Sequence, residues 1–121
     1  MAETEGAPVP ERLLITRTTV EDGTRVVTLV GEADLDSSAR LRETLLSCLA
    51  TAPVTVADLG GLTFMDSSGI NALISAHQAA QESGARLCLA APQEAVLRVL
   101  QLVGVDTLIP WYPSVEAALT A

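Results

Sequence analysis

Residues 54–69 read VTVADLGGLTFMDSSG, and the flanking chain is patterned to present this stretch. It opens on Val54, Thr55, Val56 and Ala57. An apolar, β-branched run of this kind forms a short buried strand. Asp58, Leu59, Gly60 and Gly61 are then expected to break the strand. Beyond Thr63, Phe64 and Met65 come Asp66, Ser67, Ser68 and Gly69, followed by Ile70, Leu73, Ile74 and His77 at helical spacing. Small residues with side-chain oxygens ahead of such a pattern mark a helix N-terminus. Two adjacent hydroxyls, Ser67 and Ser68, therefore stand where a strand's exit loop turns into a helix. The free N–H groups and the positive dipole end at such a place favour anions.

Upstream, residues 13–20 and 25–31 read as two strands, joined through Glu21-Asp22-Gly23-Thr24. Asp-Gly between apolar runs is a strong hairpin signal. Residues 31–36, GEADLD, read as a loop with Asp36 or Ser37 capping the next helix, which runs to about residue 50. Its apolar positions are Ala39, Leu41, Leu45, Leu46, Cys48 and Leu49. Downstream, the second helix extends to about Glu82, with Gly84 closing it. Residues 86–90 form a strand, and Pro92 suits the first turn of a third helix carrying Val96, Leu97, Val99, Leu100 and Val103 up to Gly104. Residues 107–109 read as a short fifth strand, and residues 110–113, PWYP, as a turn. Ser114 then caps a last helix. Trp111 and Tyr112 are expected to cover the end of the core, because aromatics bury large areas, with a functional surface patch as the alternative. A hairpin followed by strand–helix alternation predicts an α/β fold: one mixed, mostly parallel sheet of about five strands with about four helices.

A chain of 121 residues is enough for one domain with a proper core. Phe64, Trp111 and Tyr112 are its only aromatics, so Leu, Val, Ile and Ala must build that core. The acidic, proline-rich residues 1–12 are expected as a tail, with the domain over 13–121. No apolar run reaches the roughly 18 residues of a membrane span, and the N-terminus lacks the pattern of a secretory signal. A cytoplasmic location is therefore expected. The seven cations are all arginine, and with fifteen acids the net charge is −8. That balance argues against nucleic acid and anionic membrane as direct partners. Cys48 and Cys88 share no motif and are expected as buried, reduced thiols.

Catalytic readings of Ser67 are weak. No glycine stands two residues before either serine, as the G-x-S-x-G elbow requires. His77, the only histidine, lies about nine or ten residues along the same helix, roughly 14 Å from its start at 1.5 Å per residue. A phosphate-binding loop needs its lysine, and so normally does a receiver domain; the chain has none. No His/Cys cluster has metal spacing, and no cofactor or metal is expected. Two uses of the D-S-S-G segment stay open from local chemistry: plain helix capping, or a serine whose modification changes an interface.

Thr63-Phe64-Met65-Asp66-Ser67-Ser68-Gly69-Ile70 resembles the signature of the STAS-domain anti-sigma factor antagonists, and Gly31-Glu32-Ala33-Asp34 resembles their G-E-L-D segment. The likeness extends from about Leu13 to the end. Ala33 replaces the usual leucine, and Asn71 and Ala72 follow where many members have glycine. The resemblance implies partner switching without catalysis. In that scheme the unmodified protein binds an anti-sigma factor with serine kinase activity and frees a sigma factor. Phosphorylation of Ser67 dissociates the pair, and a PP2C-type phosphatase resets it. The implied partner-binding residues are Asp34, Asp66, Ser67, Ser68 and Gly69. The family also contains non-switching subunits of transport and stress-signalling complexes.

Overall fold

The computed structural model describes residues 12–121. The tail expected at 1–12 lies, Arg12 apart, outside the described residues. Five strands form one sheet in the order β1-β2-β3-β4-β5. They are β1 (Leu13–Thr19), β2 (Arg25–Ala33), β3 (Val54–Met65), β4 (Arg86–Ala90) and β5 (Trp111–Tyr112). β1 pairs antiparallel to β2 through the expected hairpin, and every other pairing is parallel. Among the described residues there are five helices: α1 (Leu35–Thr51), α2 (Ser67–Ser83), α3 (Glu94–Leu102), α4 (Val105–Leu108) and α5 (Val115–Leu119).

Strand alternation sorts the core onto two faces. Val27, Leu29, Ala57, Leu59, Leu87 and Leu89 pack with Leu41 and Leu45 of α1, Leu73 and Ala76 of α2, and Val96 and Leu100 of α3. The intervening Val26, Val56, Cys88 and Ala90 pack with Ala118 of α5. Leu41 and Leu45 are fully buried, so truncation of either to alanine would cost about 2–5 kcal/mol. Cys48 and Cys88 are buried and free, and burial pushes the Cys88 thiol upward, against the opposing effect of Arg86. Ala39, expected in the buried stripe of α1, turns outward.

Several expectations give way. β3 does not break at residues 58–61; it runs on to Met65 with an extra residue against β2 between the pairs Thr28↔Asp58 and Val30↔Gly61. The irregular backbone is satisfied locally: Gly60 N–H donates to Asp58 Oδ1 at 2.9 Å, and Gly60 C=O accepts from Gln93 Nε2 at 2.7 Å. β2 likewise continues through Gly31 to Ala33, where a loop was expected, and Asp34 rather than Asp36 or Ser37 caps α1. Gly31 sits at φ 116, and a Cβ there would collide with the Arg12 carbonyl. That carbonyl accepts from Glu32 N–H at 2.8 Å. Residues 107–109 are not a strand. Thr107 and Leu108 lie in α4, which starts after Gly104 at φ 81, while Trp111 and Tyr112 form β5 instead of a turn. α3 begins at Glu94, so Pro92 precedes it instead of occupying its first turn. Both aromatics of β5 are half-buried; Trp111 packs on the first cluster and Tyr112 on the second.

Candidate functional site

Parallel neighbours deliver their following helices from the same edge of a sheet. Ala33 and Met65, the last residues of β2 and β3, are direct register partners, so Asp34 and Asp66 emerge side by side. The two junctions are tied by a bond from Asp66 N–H to the Ala33 carbonyl at 3.2 Å. The G-E-A-D and D-S-S-G segments, 31–34 and 66–69, thus form one surface.

Asp66 is the N-cap of α2. Its Oδ1 accepts from Ser68 N–H at 2.9 Å and Gly69 N–H at 3.3 Å. Capping therefore falls to Asp66, not to a serine. Ser67 occupies the first helical position, is exposed, and its hydroxyl has no hydrogen-bond partner among the described residues. Ser68 is half-buried. It helps line a groove of about 250 Å³ between α1 and α2, together with Ser38, Arg42, Asn71 and Ser75. Gly69 is buried, and a Cβ there would meet the Ala33 carbonyl oxygen at 2.8 Å and the Ala33 Cβ at 3.0 Å. Its part in the site is to let α2 settle onto the end of β2.

Asp34 caps α1 with a closed capping box. Its Oδ1 accepts from Asp36 N–H at 3.1 Å and Ser37 N–H at 3.2 Å, while Ser37 Oγ accepts from Asp34 N–H at 2.9 Å. The sequence did not single out Arg12, yet its guanidinium lies 3.4 Å from Glu32 and 3.8 Å from Asp34. At this exposure such pairs are worth about 0–1 kcal/mol and mainly offset local charge. Leu35 and Phe64, 74% and 46% exposed, flank the two caps with apolar surface. The sequence reading singled out neither residue: Leu35 was placed in the 31–36 loop, and Phe64 at the end of the strand that leads to Asp66.

His77 lies ten residues beyond Ser67 on α2, roughly 15 Å along the axis, and is buried. It is not a base for Ser67. Its Nε2 is buried with no hydrogen-bond partner among the described residues, an arrangement that costs about 1–3 kcal/mol. Among the described residues no three of His, Cys, Asp or Glu are grouped to hold a metal. Among the same residues no helix is long and apolar enough to cross a membrane.

A family model described as "STAS domain" matches residues 16–118. The crystal structure of an anti-sigma factor antagonist from Mycobacterium paratuberculosis superposes with a TM-score of 0.82 at 26% identity, over 93% of this chain and 95% of that one. The anti-sigma factor antagonist SpoIIAA in its unphosphorylated form gives a TM-score of 0.75 at 22% identity, covering 88% and 93% of the two chains. The Bacillus cell fate determinant SpoIIAA in the phosphorylated form gives 0.69 at 21%, covering 88% and 97%. At these last two identities the likeness is one of fold.

Proposed function

The chain belongs to the STAS domain family, and we propose that it is an anti-sigma factor antagonist that works by partner switching. The unmodified protein binds an anti-sigma factor with serine kinase activity through the surface around Asp34, Asp66, Ser67 and Ser68, with Gly69 setting the height of α2, and so frees a sigma factor. Phosphorylation of Ser67 ends the association, and a PP2C-type phosphatase restores it. The protein's part is to bind and to be modified, not to catalyse.

The observation that carries this reading is the unengaged Ser67 hydroxyl, exposed at the first position of α2 while Asp66 does the capping. A kinase reaches it without unwinding the helix. A phosphate on it brings about −1.5 to −2 charge to an edge that already holds Asp34 and Asp66. The helix dipole compensates only about 0.3–1 kcal/mol, and does so equally in the free protein. Burying that charge against a partner without a matched cation costs several times as much. The fold is left alone and the interface is lost.

The test is to incubate the protein with its anti-sigma factor and ATP and to locate the phosphate by mass spectrometry. Phosphate on Ser67 with loss of the complex is the expected result. Phosphate on Ser68 alone, or a complex that survives modification, refutes the assignment.

A further inference from the structure

The groove between α1 and α2 starts beside the two caps and follows both helices. Ser38 and Arg42 line it from α1, one turn apart, and Ser68, Asn71, Ala72 and Ser75 line it from α2. Its volume is about 250 Å³, and no acidic residue borders it among the described residues. Arg42 is exposed and has no hydrogen bond or ion pair among the same residues. Elsewhere arginines are engaged: Arg12 pairs with Glu32, Arg17 donates to Ser47 Oγ, and Arg98 pairs with Glu94. A chain of net charge −8 thus keeps the Arg42 guanidinium unengaged in a groove that begins at Ser68.

We propose, on the switching reading above, that Arg42 selects the partner: a carboxylate side chain of the anti-sigma factor seats in this groove and pairs with the guanidinium. Arg42 stands eight residues beyond Asp34, roughly 12 Å along α1. An interface of ordinary size covers about 800 Å² on each partner, a patch roughly 30 Å across, so a protein centred on Ser67 also covers the groove. A guanidinium covered without an acceptor loses its hydration and gains nothing in return. A carboxylate matches it in a two-pronged geometry. Asn71 and Ser75 offer further N–H and O–H donors from the facing helix, and donors are what a carboxylate takes. Opposite the exposed Asp36 and the two caps the same partner must present the other sign. The surface is an acidic edge beside a basic groove, and an anti-sigma factor with the reverse order of charges meets like charges on both.

Calorimetric titration of the whole chain with the anti-sigma factor tests the pairing. Arg42→Glu reverses the charge while keeping a good helix former in α1, and should weaken association at least ~10-fold with thermal unfolding unchanged. Arg98→Glu changes the net charge equally from α3, outside the groove, and with distant charges screened by salt should stay within ~3-fold of wild type. Lysine placed in turn at each exposed acid of the anti-sigma factor should restore binding to Arg42→Glu at one position and weaken binding to wild type there. Equal affinities of wild type and Arg42→Glu overturn the proposal and leave the groove to solvent or to another occupant. An equal loss in Arg98→Glu overturns it too, since the effect is then one of net charge. A loss in Arg42→Glu that no lysine restores overturns the carboxylate. A wild type that does not bind the anti-sigma factor at all removes the switching reading itself, and this pairing with it.

Discussion

The starts of α1 and α2 are built from the same parts and differ in how they use them. Each begins with an aspartate leaving the end of a parallel strand, Asp34 after β2 and Asp66 after β3, and each aspartate accepts from the next two available N–H groups. At the third helical position the likeness ends. α1 has Ser37, buried and bonded back to Asp34 N–H, with the Glu32 carbonyl 3.1 Å away as acceptor for its own proton. α2 has Gly69, with no side chain to return, because the space is taken by Ala33. The Asp66 N–H goes to the Ala33 carbonyl instead. At the first position α1 exposes Leu35 and α2 exposes Ser67. One serine is spent on the fold and the other is kept out of it, so a hydroxyl near a helix start is informative only once its partners are known.

The largest effect expected from disturbing this pair is at Gly69. A valine there must push against the Ala33 backbone, and overpacking of that kind costs up to about 3 kcal/mol, lowering the melting temperature by on the order of 10 °C. Unchanged thermal unfolding of Gly69→Val would mean that α2 does not seat on β2 as described. Next comes Ser37→Ala, which leaves Asp34 N–H and the Glu32 carbonyl without their hydroxyl. We expect a loss of about 1–2 kcal/mol in denaturant unfolding. If the loss matches that of Ser67→Ala, the distinction between the two helix starts fails.

Much of this arrangement was legible in the sequence. Strand–helix alternation gave the mixed sheet, and Asp66-Ser67-Ser68-Gly69 marked the helix start correctly. The errors have physical causes. Around α1, oxygen-bearing side chains at 34, 36 and 37 all qualify as caps, and only the reach of β2 to Ala33 decides among them. Gly60-Gly61 looks like a stop, yet a bulge holds because Gln93, far along the chain, satisfies the Gly60 carbonyl. β5 was missed for a similar reason. A two-residue parallel strand needs few backbone groups, and the Pro110 carbonyl supplies one of them by accepting from Leu89 N–H at 2.9 Å. Proline there costs no ladder bond, whereas the apolar 107–109 run is used by the short helix after Gly104 and by its cap. The Asp-Gly hairpin predicts that β1 pairs with β2, but the proximity of Arg12 to Asp34 also needs the register that sets Leu13 opposite Gly31 and the run of β2 on to Ala33, which the turn signal does not give.

The third effect concerns binding rather than folding. Ser67→Asp adds one charge at the first position of α2, where the dipole tolerates it, so unfolding should shift by less than about 1 kcal/mol. Against the anti-sigma factor the same change should weaken association at least ~10-fold, about 1.4 kcal/mol, because the carboxylate must be desolvated beside Asp66. Calorimetric titration of both proteins decides it. Equal affinities would place the partner elsewhere on the molecule.

The smallest expected effect is the most discriminating. Ser67→Ala removes a hydroxyl that bonds to nothing among the described residues, leaves the Asp66 cap intact, and puts the best helix former at an exposed helical position. Its stability should stay within about 0.5 kcal/mol of wild type, the range of ordinary surface substitutions. Its affinity for the anti-sigma factor should also stay close, since a neutral hydroxyl adds little at an interface that retains its other contacts. What should change is the response to ATP: wild type is released as phosphate accumulates, and Ser67→Ala stays bound. The measurement is the fraction of complex remaining over time with and without ATP, run beside Ser68→Ala, which should release as wild type does. Release of Ser67→Ala at the wild-type rate would show that the free hydroxyl at the start of α2 is an idle feature of the fold, and would remove the functional meaning of its contrast with Ser37.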